Sequence, residues 1–419
     1  MARTALAPGA VPLLVMLCLL GFTTSLRADP LRFRTDADGP VLANETPTPK
    51  GKPGRRDWYR LVDGQFPPEG SAHAVSGELM GLDHLERRFQ IRVDRNDSQD
   101  RGIWDLPLDA TMLPYGSTWF HGSPAALTDI PMGTHLHGLF YLNDPDDKTP
   151  LPPGPYNNRH TPDANFRRCF RIEDDFTFYA SHNQLWQIDN VDLAAMKLTA
   201  TLQQDGKLTG PAKVFDLLTS TRVMKGNGFA DLKSLDKGQT VLLDLTWVTL
   251  YGPGRITDIW IDEPARQLAA AQQLERHRNY TRERGLPGWV TAVDDDAQIV
   301  TITFFGGVDP KLFDELTLTD GNKVGWPMYK EADDPNAPKG TIAVALPSLM
   351  TYDPVNDRKG GNILAITKIP PEPGSSGVQI KVKCDLMLEG FRPRHLVRFF
   401  PATWKVVQLP QEERFAGKE

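Results

Sequence analysis

The chain holds 419 residues, with 47 Lys and Arg against 53 Asp and Glu, 35 Gly, 35 Pro and 3 Cys. That length suits two or three domains, and the net charge of -6 excludes a generally basic nucleic-acid-coating protein. Three cysteines exclude a disulfide scaffold and a Cys-rich zinc module, and the high Gly and Pro content argues for many turns and few long helices.

The chain opens on Arg3, an apolar run from Val11 to Leu20, and a small residue at Ala28. This is the order of a signal peptide cut near Ala28, and ten apolar residues are too few to span a bilayer, which takes roughly 20. No other stretch approaches a membrane span, so the expectation is a periplasmic or secreted protein. Removing residues 1–28 takes Arg3 and Arg27 and no acid, which leaves a net charge of -8. Export leaves Cys169 and Cys384 in an oxidising place; both a pair and two buried free thiols stay open. Residues 29–69, rich in Pro and charged residues, read as a polar linker arm.

From residue 70 onward the chain alternates apolar and polar residues, the period of half-buried strands. The pattern repeats. A strand, a turn ending in Asp and a returning strand recur at Val75–Val93, Gln184–Leu202 and Gly288–Phe304. The turn residues Asp83, Asp192 and Asp294 sit 109 and 102 positions apart. Downstream, Leu127-x-x-Ile130-x-x-Gly133 matches Leu232-x-x-Leu235-x-x-Gly238 at an offset of 105, each followed by a strand. That spacing suits one helical turn capped by Gly.

These features predict a mainly β protein: three small OB-like barrel or sandwich units in tandem with one long connecting helix. The units span residues 70–142, 184–262 and 286–407, with a Pro-rich connection over 143–183 and a charged tail over 408–419. The helix occupies 263–285, with Asp262 as N-cap, Pro264 in the first turn, Gly285 as the stop and an apolar stripe of Leu268, Ala271 and Leu274. The hairpins and the Leu-to-Gly turns resemble the OB-like repeat modules of exported bacterial proteins of unknown function. The resemblance covers most of residues 70–400 and implies a fold and no activity.

Three constellations are candidates for function. In Thr134-His135-Leu136-His137-Gly138, a strand would point His135 and His137 to one face, and His121 lies on the strand before. Three imidazoles with one open position would suit zinc or copper, whereas half-exposed strand histidines explain the same residues. Asp94-x-Asn96-x-Ser98-x-Asp100 has the ligand alternation of a calcium loop, but Gln99 stands where such a loop needs Gly, and a polar hairpin tip is favoured. The third is the aromatic and basic stretch from Phe391 to Trp404, where Arg392, Arg394 and Arg398 would hold an anionic polymer or another protein at the cell surface, or else lie outside an ordinary strand.

Nucleophile and phosphate-loop motifs do not occur. The carboxylate pairs Asp174-Asp175 and Asp333-Asp334 read as solvated loop charges. The function expected first is therefore an exported, non-catalytic binding or assembly protein without nucleic-acid partners. A metal-binding or metal-dependent protein and a carbohydrate-active enzyme are the alternatives.

Overall fold

A computed structural model describes residues 63–67, 72–94, 107–141, 168–248, 252–318, 339–351, 358–407 and 409–413. The expected signal peptide, most of the linker arm, Asn96 to Asp105 of the calcium-like loop, and Asp333-Asp334 lie outside them. The chain forms three closed barrels in tandem. Barrel 1 contains β1 (His73–Asp83), β2 (Arg88–Val93), β3 (Leu108–Phe120), β4 (Ser123–Ala125), β5 (His135–Tyr141) and β6 (Arg168–Asp174). A short helix, α1 (Asp175–Ser181), leads into barrel 2: β7 (Gln184–Asp192), β8 (Lys197–Gln204), β9 (Lys207–Lys225), β10 (Gly228–Ala230), β11 (Thr240–Thr246) and β12 (Arg255–Trp260). The helix α2 (Glu263–Arg284) follows, and then barrel 3: β13 (Leu286–Asp294), β14 (Ile299–Phe305), β15 (Gly340–Ala345), β16 (Arg358–Lys368), β17 (Ser375–Cys384) and β18 (Leu396–Phe400).

Barrels 1 and 2 share one connectivity. In each, five strands close the barrel, the third strand pairs in parallel with the last (β3 with β6, β9 with β12), and a three-residue strand hangs on the edge. Barrel 3 closes with six strands, all antiparallel. Barrel 1 also runs past the expected boundary at 142. Its closing strand β6 lies inside the segment read as a Pro-rich connection, because without it the edges of β3 and β5 would stay unpaired.

The three hairpins that begin the barrels are built alike. Asp83 Oδ1 accepts from the N–H groups of Leu85 (3.1 Å) and Glu86 (3.2 Å), Asp192 Oδ1 from Ala195 (2.9 Å) and Asp294 Oδ1 from Ala297 (2.9 Å). The last turn residue is left-handed in each: Arg87 (φ 51°), Met196 (φ 51°) and Gln298 (φ 53°). Each first strand carries a bulge three residues before its Asp, at Met80, Asp189 and Thr291, which bends it around the barrel. The Leu-to-Gly turns also match, as 3-10 turns at Leu127–Asp129 and Leu232–Ser234. Gly133 (φ 85°) and Gly238 (φ 88°) then donate their N–H to Leu79 O (2.8 Å) and Ile188 O (2.7 Å), a left-handed backbone that glycine takes without steric cost.

Helix α2 begins and ends where its caps predict, with Asp262 accepting from Ala265 N–H at 2.9 Å and Gly285 at the C-cap. Its face is different. Ala271 is exposed and Leu268 and Leu274 are only half-buried, while Ala265, Gln273, His277, Thr281 and Arg284 are buried. The cause is tertiary: α2 leaves barrel 2, crosses β4 of barrel 1 and ends on barrel 3. On the way Ser123 Oγ donates to Ala270 O (2.8 Å) and Gln273 Nε2 to Asp129 Oδ2 (2.9 Å). Each barrel has its own apolar core, and Tyr115, Trp289 and Phe305 pack edge to face between barrels 1 and 3. Cys169 and Cys384 are buried free thiols in the cores of barrels 1 and 3. Among the described residues no helix is long and apolar enough to cross a membrane.

Candidate metal centre at the junction of two barrels

Strand β5 decides which face its histidines take. Leu136 and Phe140 point into the core of barrel 1, with Gly138 between them, where a Cβ would come within 2.3 Å of the Phe140 ring. His135 and His137 therefore point outward. α1 and β11 of barrel 2 cover this face, so His135 is buried at 4% exposure and His137 is half-buried.

The two imidazoles converge on one carboxylate oxygen. His135 Nδ1 and His137 Nε2 each lie 2.8 Å from Asp175 Oδ1, and Asp175 is fully buried as the first residue of α1. The other oxygen, Asp175 Oδ2, accepts from Leu245 N–H (3.1 Å), so barrel 2 fixes the carboxylate that barrel 1 uses. On its far side His135 Nε2 lies 2.8 Å from Asp94 Oδ2, which also accepts from Ser76 Oγ (2.9 Å). His137 is clamped by stacking on Phe178, with ring centroids 3.8 Å apart.

Burial alone would strip the proton from His135, but the charges and hydrogen bonds of Asp175 and Asp94 outweigh it and hold the imidazole well above its ordinary range. Burial likewise opposes ionisation of Asp175, yet the charge of His135 and the bonds from both histidines keep that carboxyl far below the usual range.

His121 does not join this group, which corrects the expectation of three converging histidines. It sits at the tip of the β3–β4 hairpin with φ 50°, followed by Gly122 at φ 78°, as a type I′ turn requires. Asp174 Oδ2 accepts the His121 N–H (2.9 Å) and Thr177 Oγ1 accepts the Gly122 N–H (2.8 Å), which together hold this left-handed turn. Its ring stacks on Phe120, and Nε2 lies 3.3 Å from Asp244 Oδ2 and 3.9 Å from Asp174 Oδ2. Asp174 ends β6 and Asp175 starts α1, so consecutive carboxylates serve different histidines. Burial, reinforced by neighbouring acids, pushes both Asp174 and Asp244 well above the ordinary carboxyl range, and burial lowers His121. In this second group burial therefore disfavours the charged form of all three residues, the opposite of the outcome at His135 and Asp175.

Two further expectations change. Asp174 and Asp175, read as solvated charges, are among the most buried residues of the molecule. The only sequence signal for this was their place beside an apolar segment, Phe176-Thr177-Phe178-Tyr179. The three arginines do not share a surface. Arg392 pairs with Asp295, Arg394 is exposed at a left-handed turn (φ 75°), and Arg398 is buried on β18. Residues 392 and 394 belong to the turn before β18, whereas the outward face at 398 is covered by α2.

No family model matches the chain, and no curated protein matches it. Among solved structures it is similar to "drosophila Unr CSD456" at 13% identity and a TM-score of 0.14, over 55% of this chain and 78% of that chain. A likeness this slight fixes neither fold nor ligand; the barrels rest on the strand pairing described above.

Proposed function

We propose that this is an exported binding protein whose bound species is one zinc or copper ion, held by His135 Nδ1, His137 Nε2 and Asp175 Oδ1. These three donor atoms lie within 4.8 Å of one another, two on β5 and one at the start of α1. The observation that carries the reading is the line from Asp94 to His135. A histidine that ligates through Nδ1 needs an acceptor for its Nε2–H, and Asp94 Oδ2, steadied by Ser76, is such an acceptor. Two nitrogens and a carboxylate suit zinc or copper better than magnesium or calcium. Binding rather than catalysis is proposed because the nearby acids are engaged: Asp94 by His135 and Ser76, Asp174 by Thr177 and the His121 backbone.

The ion and the proton on His135 compete for the same lone pair, so binding releases a proton and tightens with pH. Titration calorimetry of the protein with zinc and with copper tests this. One ion per chain, a buffer-dependent heat and loss of binding in His135→Ala/His137→Ala are expected. Equal uptake by the wild type and the double variant would overturn the reading. The second reading is a metal-free ionic latch between barrels 1 and 2, favoured by the protonated state of His135. In that case chelation and added metal both leave stability unchanged.

A further inference from the structure

We propose a second binding site, in the cavity where barrel 1, α2 and barrel 3 meet, for a small tetrahedral oxyanion: inorganic phosphate or sulfate, or the phosphate end of an ester. The cavity measures ≈ 110 Å³, several times the roughly 10–15 Å³ that one water needs. Two guanidinium groups line it from opposite barrels, Arg398 buried and Arg87 half-buried. Arg87 donates to the carbonyls of Leu113 (3.0 Å), Pro114 (3.1 Å) and Gly116 (2.8 Å). Arg398 donates to those of Leu349 (2.7 Å), Arg284 (3.2 Å) and Gly285 (3.2 Å).

Carbonyl dipoles orient these side chains without neutralising them. Neither arginine has a carboxylate partner among the described residues, while the third arginine of the cavity, Arg284, is matched by Glu413. The other nearby acids are also taken, Asp129 by Gln273 and Asp309 by Arg278. Two positive charges thus share one cavity with no carboxylate hydrogen-bonded to either among the described residues, an arrangement whose desolvation cost a bound anion offsets. Burial lowers both guanidinium groups to about 10, so they stay charged near neutral pH.

Two donors remain. Arg87 Nε and Arg398 Nη2 make no hydrogen bond among the described residues. One polar atom is stranded: His277 lines the same cavity, its Nε2 lies 3.2 Å from Thr281 Oγ1, and its Nδ1 is buried with no partner among the described residues. As a neutral ring it donates from Nδ1 while Nε2 accepts from Thr281. Donors reaching in from a barrel 1 turn, a barrel 3 strand and a helix suit a tetrahedral anion, whose oxygens point in several directions, better than a planar carboxylate. The polar buried stripe of α2 then has a purpose: it forms the floor of this site.

Calorimetric titration of the full chain with inorganic phosphate, sulfate and glycerol 2-phosphate, with acetate and chloride as controls, tests the proposal. One saturable site is expected for at least one tetrahedral probe, weakened at least tenfold in Arg398→Lys. Because Arg398 also holds three carbonyls, His277→Ala is the second variant; it removes the stranded nitrogen and one side-chain contact, and a several-fold weakening is expected. Tighter inorganic phosphate marks a free anion as the occupant, and a tighter ester marks a larger phosphorylated ligand. Zinc uptake, measured alongside, should stay unchanged in both variants. No saturable binding of any tetrahedral probe, or equal binding by the wild type and folded variants, would overturn it.

Discussion

Barrels 1 and 2 carry the same strand in two versions. β5 and β11 sit at the same register against their neighbours, with Leu136 opposite Gly77 in one and Val241 opposite Trp186 in the other. The inward side chains, Leu136 and Phe140 against Val241 and Leu245, are interchangeable apolar residues. The outward ones are not: His135, His137, Leu139 and Tyr141 stand where barrel 2 has Thr240, Leu242, Asp244 and Thr246. The fold constrains the first set, since barrel closure needs volume inside. The second set answers to whatever packs against it, and here each barrel covers the other, so the chemistry collects in the seam.

The largest test of that difference is to remove the acceptor on which barrel 1 depends. Asp175→Ala strips a partner from His135, His137 and Leu245 N–H at once. A loss of about 3–5 kcal/mol in urea unfolding is expected, since a buried charge is left unpaired. Asp244→Ala, the barrel 2 counterpart in the seam, should cost about 1–2 kcal/mol, because burial already disfavours the charged form of that carboxyl and the variant gives up mainly hydrogen bonds. Equal losses would erase the distinction between the two groups.

A graft sharpens the comparison next. Thr240→His/Leu242→His copies the outward pair into barrel 2, yet zinc stoichiometry should stay at one, because Asp262, at the start of α2, already accepts from Ala265 and Gly226 and so gives the grafted pair no counterpart to Asp175. The graft should cost roughly 2 kcal/mol, since Leu242 is buried against Trp260 and Phe176 and a ring nitrogen would lack a partner.

Acidity separates the two groups further. His135 is raised in the folded state, so its contribution is complete below about 6.5 and is lost as pH rises through the folded value. Asp174 and Asp244 are raised too; the folded state then binds more protons than the unfolded one above about pH 4, which also lowers stability as pH rises. Asp175 is depressed, so its contribution holds above about pH 4 and falls away only in stronger acid. Urea midpoints measured with a chelator present should therefore fall from about pH 6.5 to pH 8, above the range in which the lowered His121 and His277 act with the opposite sign, and Asp244→Asn should flatten the slope.

The smallest effect concerns what the barrels share. Gly133→Ala and Gly238→Ala each force a side chain into a left-handed turn and should cost about 1–2 kcal/mol by thermal unfolding. The first should cost slightly more, since its Cβ meets Thr246 Oγ1 at 3.4 Å while the second meets nothing within 4 Å.

Much of this architecture was legible one residue at a time, because it is local chemistry. An Asp that accepts the N–H three residues on writes a turn wherever it stands, and Asp83, Asp192 and Asp294 do so in all three barrels. The Leu-to-Gly turns and the caps of α2 are local in the same sense, and period-two alternation places His135 and His137 on one face without any knowledge of the fold. What covers that face is decided by elements distant in the chain. The Asp174-Asp175 pair reads as solvated until barrel 2 closes over α1. Arg398 reads as an outward strand residue until α2 lies across it, and His121 reads as a third ligand until the β3–β4 hairpin turns it toward Asp244. The buried polar stripe of α2 has no amphipathic signal because its partners, β4 and β18, belong to two different barrels. Periodicity records the contacts that a strand or helix makes with its own core; the seams between barrels, where the candidate sites lie, are set by packing alone.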